Sequence, residues 1–110
     1  MSGKGAARGI QRERQVRDLL RDQDWMTVRA AGSLGCADII ALKYGERPRL
    51  IEVKSTAGGP YERFLPADRH RLREAARMAG ADAWLVWWPK NGKPHWIPSS
   101  EWPTRLKAAS

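Results

Sequence analysis

The 110-residue chain predicts an α/β domain built on a central mixed β-sheet flanked by helices. Three observations carry that expectation. Two short stretches, 37–43 and 49–55, are apolar and branched and flank YGERP, which holds a Gly and a Pro, so together they read as a β-hairpin. Apolar residues recur at helical spacing over 8–22 and 66–79. The run AWLVWW at 83–88 is apolar on both faces, as a central strand is, and the second helix supplies the crossover that leads to it from the hairpin.

Taken in order, residues 1–7 are small, basic and Gly-rich, as in a mobile arm. In the helix over 8–22, Ile10, Val16, Leu19 and Leu20 share one stripe. Glu13 lies three residues from both Ile10 and Val16 and so points toward the core side, where an unpaired carboxylate is costly. Two compensations are open: a salt bridge to Arg14 or Arg17, or a site shared with a metal-bound water or Lys54. Residues 25–31 read as the strand that starts the sheet. AAGSLGCA then forms a loop that delivers the chain to Asp38, where Ser33 either meets a phosphate or stabilises the turn.

After the hairpin, STAGGPYERF is a Gly-Pro-rich loop that either presents Tyr61 and Arg63 to a substrate or merely connects. The helix over 66–79 opens at Pro66 and stops at Gly80. Leu65, Leu72, Ala75, Ala76 and Ala79 form its apolar stripe; Arg69, Arg71, Arg73 and Arg77 surround it, either as phosphate ligands or as a solvated face. An Asn-Gly turn in PKNGKP leads to a short strand at His95, Trp96 and Ile97. A terminal helix is expected from Ser99 or Ser100.

Lys and Arg number 20 against 12 Asp and Glu, a formal net charge of +8, which favours a polyanionic partner. No apolar run approaches the roughly 20 residues that span a bilayer, and the basic N-terminus lacks the apolar segment of a signal peptide. Nucleic acid is therefore the expected partner, without a membrane. The one cysteine, Cys36, forms no internal disulfide and has no zinc-ligand spacing to His70 or His95, which reads as an intracellular, cytoplasmic protein.

Within the hairpin, Glu52 and Lys54 project from the same face of one strand while Ile51 and Val53 project from the other. Asp38 comes close to Glu52 if the two strands pair in their natural register. Two hard oxygen donors and an ammonium then surround one point. Such oxygens suit Mg²⁺ or Mn²⁺, and the chemistry is phosphodiester hydrolysis. The ordinary alternative is a turn-capping Asp38 beside a surface Glu52–Lys54 ion pair, worth little in stability.

Four blocks in order, RGIQRERQVRDLL, VRAAGS, ADIIAL and LIEVKST, make the chain resemble an archaeal-type Holliday junction resolvase of the PD-(D/E)xK nuclease superfamily, over roughly residues 8–79. The resemblance implies the restriction-endonuclease-like form of the α/β fold across a single nuclease domain, 1–110. It implies that Glu13 is the acid of the first helix, a metal ligand directly or through water, that Asp38 and Glu52 are metal ligands, and that Lys54 is the catalytic lysine. Arg14, Arg29 and Ser33 fall on positions used near DNA; Ser55, Tyr61 and Arg63 join them as DNA-binding candidates. Ala37 stands where Pro commonly precedes the Asp, and the chain is compact, as phage or viral versions are. The implied function is a Mg²⁺-dependent endonuclease that resolves four-way DNA junctions by paired incisions as a homodimer. A nuclease of the same fold acting on flaps or duplex, and a non-catalytic basic DNA-binding module, are the alternatives. The tryptophans of 83–102 are expected either at the contact between subunits or, alternatively, in an internal core.

Overall fold

The structure, a computed structural model, describes residues 3–29 and 37–104, with only the backbone of residues 3–7. Its elements are α1 (Gly3–Asp22), β1 (Met26–Arg29), β2 (Ile39–Leu42), β3 (Arg49–Ser55), α2 (Pro66–Ala79), β4 (Asp82–Trp88) and β5 (His95–Pro98), closed by one 3₁₀ turn, Ser99–Glu101. The five strands lie in chain order, β1-β2-β3-β4-β5. Pairing is antiparallel except for β3 and β4, which run parallel and are joined through α2. The sheet is thus mixed, as the sequence predicts.

Alternation along the strands divides the core into two layers. Ile39, Ala41, Ile51, Val53, Val86 and Trp88 pack beneath Val16 and Leu20 of α1. Leu50, Ala83 and Leu85 face the other way, onto Leu72 and Ala76 of α2, with Phe64 and Trp102 filling the margin. Each helix therefore covers one face of the sheet, and β3 contributes to both cores.

Local chemistry sets the boundaries of α2. Pro66 occupies its first position, where a missing N–H is harmless, and the Asp68 carboxylate accepts from the Leu65 N–H at 3.2 Å. Gly80 ends it at φ 65°, a left-handed angle that glycine takes without steric cost. The β2–β3 turn likewise places Gly45 at φ 81°.

Four expectations need correction. Helix α1 starts at Gly3, ahead of the expected Arg8, because Lys4, Ala6 and Ala7 are strong helix formers that outweigh the neighbouring glycines. The terminal helix is only the 3₁₀ turn: Trp102 is extended at ψ 149°, as Pro103 requires of the residue before it. Arg69 is buried rather than solvated, whereas Leu65 and Ala79, assigned to the apolar stripe, are exposed. Trp88 and Trp102 are buried within the protomer, so they complete its core and offer no surface to a partner; the exposed large apolar side chains include Met26, Val28, Leu65 and Met78.

Candidate active site

The paired register of β2 and β3 ends at Ile39 opposite Ile51, which brings Asp38 level with Glu52 on the neighbouring strand. The Asp38 N–H donates to the Ile51 carbonyl at 2.8 Å. Its carboxylate turns back onto β3, where Oδ2 accepts from the Val53 N–H at 2.8 Å. A side-chain oxygen thereby takes the place of a ladder carbonyl where the strands separate, and the acid is fixed by backbone rather than by a flexible contact.

Glu52 and Lys54 flank Val53 and share the opposite face of β3 from it. Their Oε2 and Nζ lie 3.2 Å apart, both sheltered, with the side chains 17% and 27% exposed. Burial is the largest cause that lifts Asp38 to about 6; the Glu13 charge adds to it, while the Val53 N–H, Lys54 and Arg29 oppose it. Burial likewise lifts Glu52 to about 7, with the Asp38 charge next, and Lys54 pulls it down. Two carboxylates are thus held together at a desolvated point with one ammonium.

Such a pair is costly to ionise unless a cation joins it, and hard oxygen donors of this kind suit a divalent ion whose remaining positions go to water and substrate phosphate. The residues therefore fit the metal. Among the described residues no group of three or more His, Cys, Asp and Glu is placed to hold an ion, so Glu13 does not join Asp38 and Glu52 in a three-acid cluster. Its Oε1 instead accepts from Arg29 Nε at 3.2 Å. That partner is neither of the two expected from its own helix: it comes from the end of β1.

The DNA-binding candidates divide into three sets. Arg14 and Arg29 line one cleft with Glu13, Arg17, Arg21 and Thr27, beside the α1–β1 junction. Ser55 and Arg63 line another with Lys54, at the end of β3. Tyr61 is half-buried against the α2 layer, with the Arg69 guanidinium 5.3 Å from its ring centre, so it supports its loop from within. Burial raises its hydroxyl above the ordinary value, which Arg69 partly offsets. Ser33 lies outside the described residues, as does Cys36.

Sequence reasoning missed Arg8 and Thr56, which complete the cleft at Lys54. The only linear signal for Arg8 is its place in the basic RGIQRER block.

An acid at the end of one strand, facing an acid-x-Lys triplet on its neighbour in a helix-flanked mixed sheet, is the arrangement expected of a PD-(D/E)xK nuclease. Residues 4–102 match the archaeal Holliday junction resolvase (Hjc) family, and the chain belongs to that family. It is accordingly a structure-selective endonuclease acting on branched DNA, and the family implies dependence on a divalent metal. Among solved structures it is similar to Hjc of Archaeoglobus fulgidus, a Holliday junction resolvase from an archaeal hyperthermophile, with 26% identity and a TM-score of 0.70 over 84% of this chain and 74% of that one. No curated protein matches. No helix among the described residues is long and apolar enough to cross a membrane.

Proposed function

We propose that the chain hydrolyses DNA strands at four-way junctions with Mg²⁺, which Mn²⁺ replaces, held by Asp38 and Glu52. The observation that carries this reading is the desolvated carboxylate pair with Lys54 at 3.2 Å from Glu52. An ordinary surface ion pair would not be sheltered beside a second carboxylate fixed by the backbone. When bound, the cation polarises a phosphoryl oxygen and acidifies a water.

The chain's own residues do the rest. Asp38, pinned through Val53, and Glu52, pinned through Lys54, present their oxygens without rearrangement. The Lys54 ammonium orients the attacking water and takes up charge that develops on the phosphate. Glu13 acts through water rather than as a direct ligand, in keeping with its pairing to Arg29. Arg14 and Arg29 in the cleft beside the α1–β1 junction, and Ser55 and Arg63 in the cleft at the end of β3, hold the backbone of the strand being cut.

The working unit in this proposal is a cytoplasmic homodimer, since a twofold pair of sites matches the approximate symmetry of a junction and accounts for paired incisions. Incubation of the pure protein with a synthetic four-way junction, a flap and a linear duplex, with and without Mg²⁺, tests it. Metal-dependent, symmetric nicking of the junction ahead of the other two is expected. Equal cutting of all three would overturn the junction assignment.

A further inference from the structure

Beyond Lys54 the cleft continues over the ends of β3 and β4. Ser55, Thr56 and Ala57 line it throughout, and Arg8 is shared by both halves. The far half is closed by Arg12 from α1 and by Pro89, Lys90 and Asn91 from the β4–β5 turn. Among the described residues no acidic side chain lines that half. Ligands of open α/β sheets sit outside the carboxyl ends of parallel strands, and β3 and β4 are the parallel pair here.

Arg12 is the built part of this surface. Its guanidinium lies 4.3 Å from the ring centre of Trp88, which is itself 6% exposed and fixed in the α1 core. Its Nη1 donates to Gln15 Oε1 at 3.0 Å, and its Nε is buried with no hydrogen-bond partner among the described residues. A guanidinium stacked on an indole and tethered at one nitrogen has lost most of its rotamer freedom before any ligand arrives, and its planar fork suits phosphate. The floor is equally fixed: Trp87 Nε1 donates to the Thr56 carbonyl at 3.1 Å and to its Oγ1 at 3.0 Å, and the Thr56 N–H donates to the Trp88 carbonyl at 3.3 Å.

We infer that Arg12, held on Trp88, forms with Arg8 and Lys90 a second phosphate-binding subsite. It grips the DNA backbone beyond the strand segment cut at Lys54 and sets how far the junction arm runs across the protein. The inference rests on the proposed nuclease function and adds to it a binding element on the α1 and β4–β5 side. An arginine that only packed against Trp88 would not be joined by two further cations around an acid-free hollow continuous with the catalytic cleft.

The test measures affinity for a synthetic four-way junction, in EDTA to prevent cleavage, as a function of salt. Arg12→Gln and Lys90→Gln are compared with Arg47→Gln, which removes the same charge from the opposite end of the sheet, where Arg47 bonds Asp82 at 3.0 Å. Each lost phosphate contact lowers the slope of log affinity against log salt by about 0.9, so the defect halves for roughly every doubling of salt. Arg12→Gln and Lys90→Gln should each weaken binding severalfold at about 0.1 M salt and flatten the slope by that amount. Arg47→Gln should leave the slope near wild type. Slopes for both groove variants equal to that of Arg47→Gln would overturn the subsite. Circular dichroism confirms folding, and because Lys90 is exposed, Lys90→Gln carries the test even if Arg12→Gln does not fold. Wild-type protein that binds junction DNA without salt dependence would refute the functional reading itself, an outcome distinct from failure of the subsite alone.

Discussion

The Asp38 carboxylate accepts the Val53 backbone N–H at 2.8 Å, so the strand that carries Glu52 and Lys54 also fixes the acid opposite them. The three side chains of the proposed site are therefore positioned by a single segment of backbone, and separating the charge of Asp38 from its structural bond becomes experimentally possible.

Asp38→Asn keeps an oxygen that accepts from Val53 but removes the negative charge. Cleavage should fall by more than the roughly 10–100-fold typical of altering groups that merely support a metal ligand, while junction binding, which rests on phosphate contacts, stays near wild type. Glu52→Gln should behave alike. Asp38→Ala additionally leaves the Val53 N–H without its acceptor and should cost about 1–3 kcal/mol of stability by urea titration. Cleavage by Asp38→Asn at the wild-type rate would remove the residue from the mechanism.

The raised carboxylates give the metal-free protein a characteristic pH dependence. Asp38 moves from 3.8 to about 6 and Glu52 from 4.5 to about 7 on folding. Between roughly pH 4 and 7 the folded chain thus holds protons that the unfolded chain has released, and stability falls as pH rises through that window. The loss from pH ~5 to ~8 should be on the order of 4 kcal/mol, with Glu52→Gln removing a large part of it and Mg²⁺ restoring stability at the higher pH. An identical pH slope in Glu52→Gln and wild type would contradict the desolvated pair.

Lys54 pulls the Glu52 carboxyl down from 3.2 Å away, so Lys54→Ala should push Glu52 still higher. Cleavage should stop while Mg²⁺ binding survives with its pH midpoint shifted upward, measurable by calorimetry. Wild-type turnover in this variant would make Lys54 an ordinary surface cation.

Glu13→Gln releases Arg29 from a pair whose side chains are 21% and 44% exposed, and such a pair adds at most about 1 kcal/mol to stability. The melting temperature should hardly move. Junction affinity should rise a few-fold, because a carboxylate leaves the basic cleft, and cleavage should decline. Unchanged affinity and cleavage together would show that Glu13 serves only Arg29.

Light scattering at micromolar concentration should give twice the 12.4 kDa protomer mass. A protomer mass that junction DNA does not change would leave paired incision without a basis.

Punctuated segments were the most legible in sequence. Pro66 and Gly80 bracket α2 and the Gly45 turn separates β2 from β3, so the face shared by Glu52 and Lys54 follows from strand periodicity, and the approach of Asp38 from the register the hairpin adopts. Contacts made across the fold left no such trace. Glu13 meets Arg29 sixteen residues away. Arg69 looks like a solvated helix cation, yet it is buried, bonds the Phe64 carbonyl and sits over Tyr61. Phe64 and Trp102, 4.9 Å apart edge to face, complete the α2 layer from two loops that no periodicity links. Arg12 is off the apolar stripe of α1, and only the folded sheet brings Trp88 beneath it.

The alternation of β3 also constrains how a lineage can change it. Ile51 and Val53 belong to the α1 core while Glu52 and Lys54 belong to the site, on the other side of the same ribbon. Loss or gain of one codon within 49–55 would exchange the two sets, sending a carboxylate and an ammonium under α1 and turning two aliphatic side chains outward. The proposed site and the hydrophobic packing thus share one parity, and this segment is closed to single-residue insertion or deletion, whereas the exposed turn around Gly45 can vary in length.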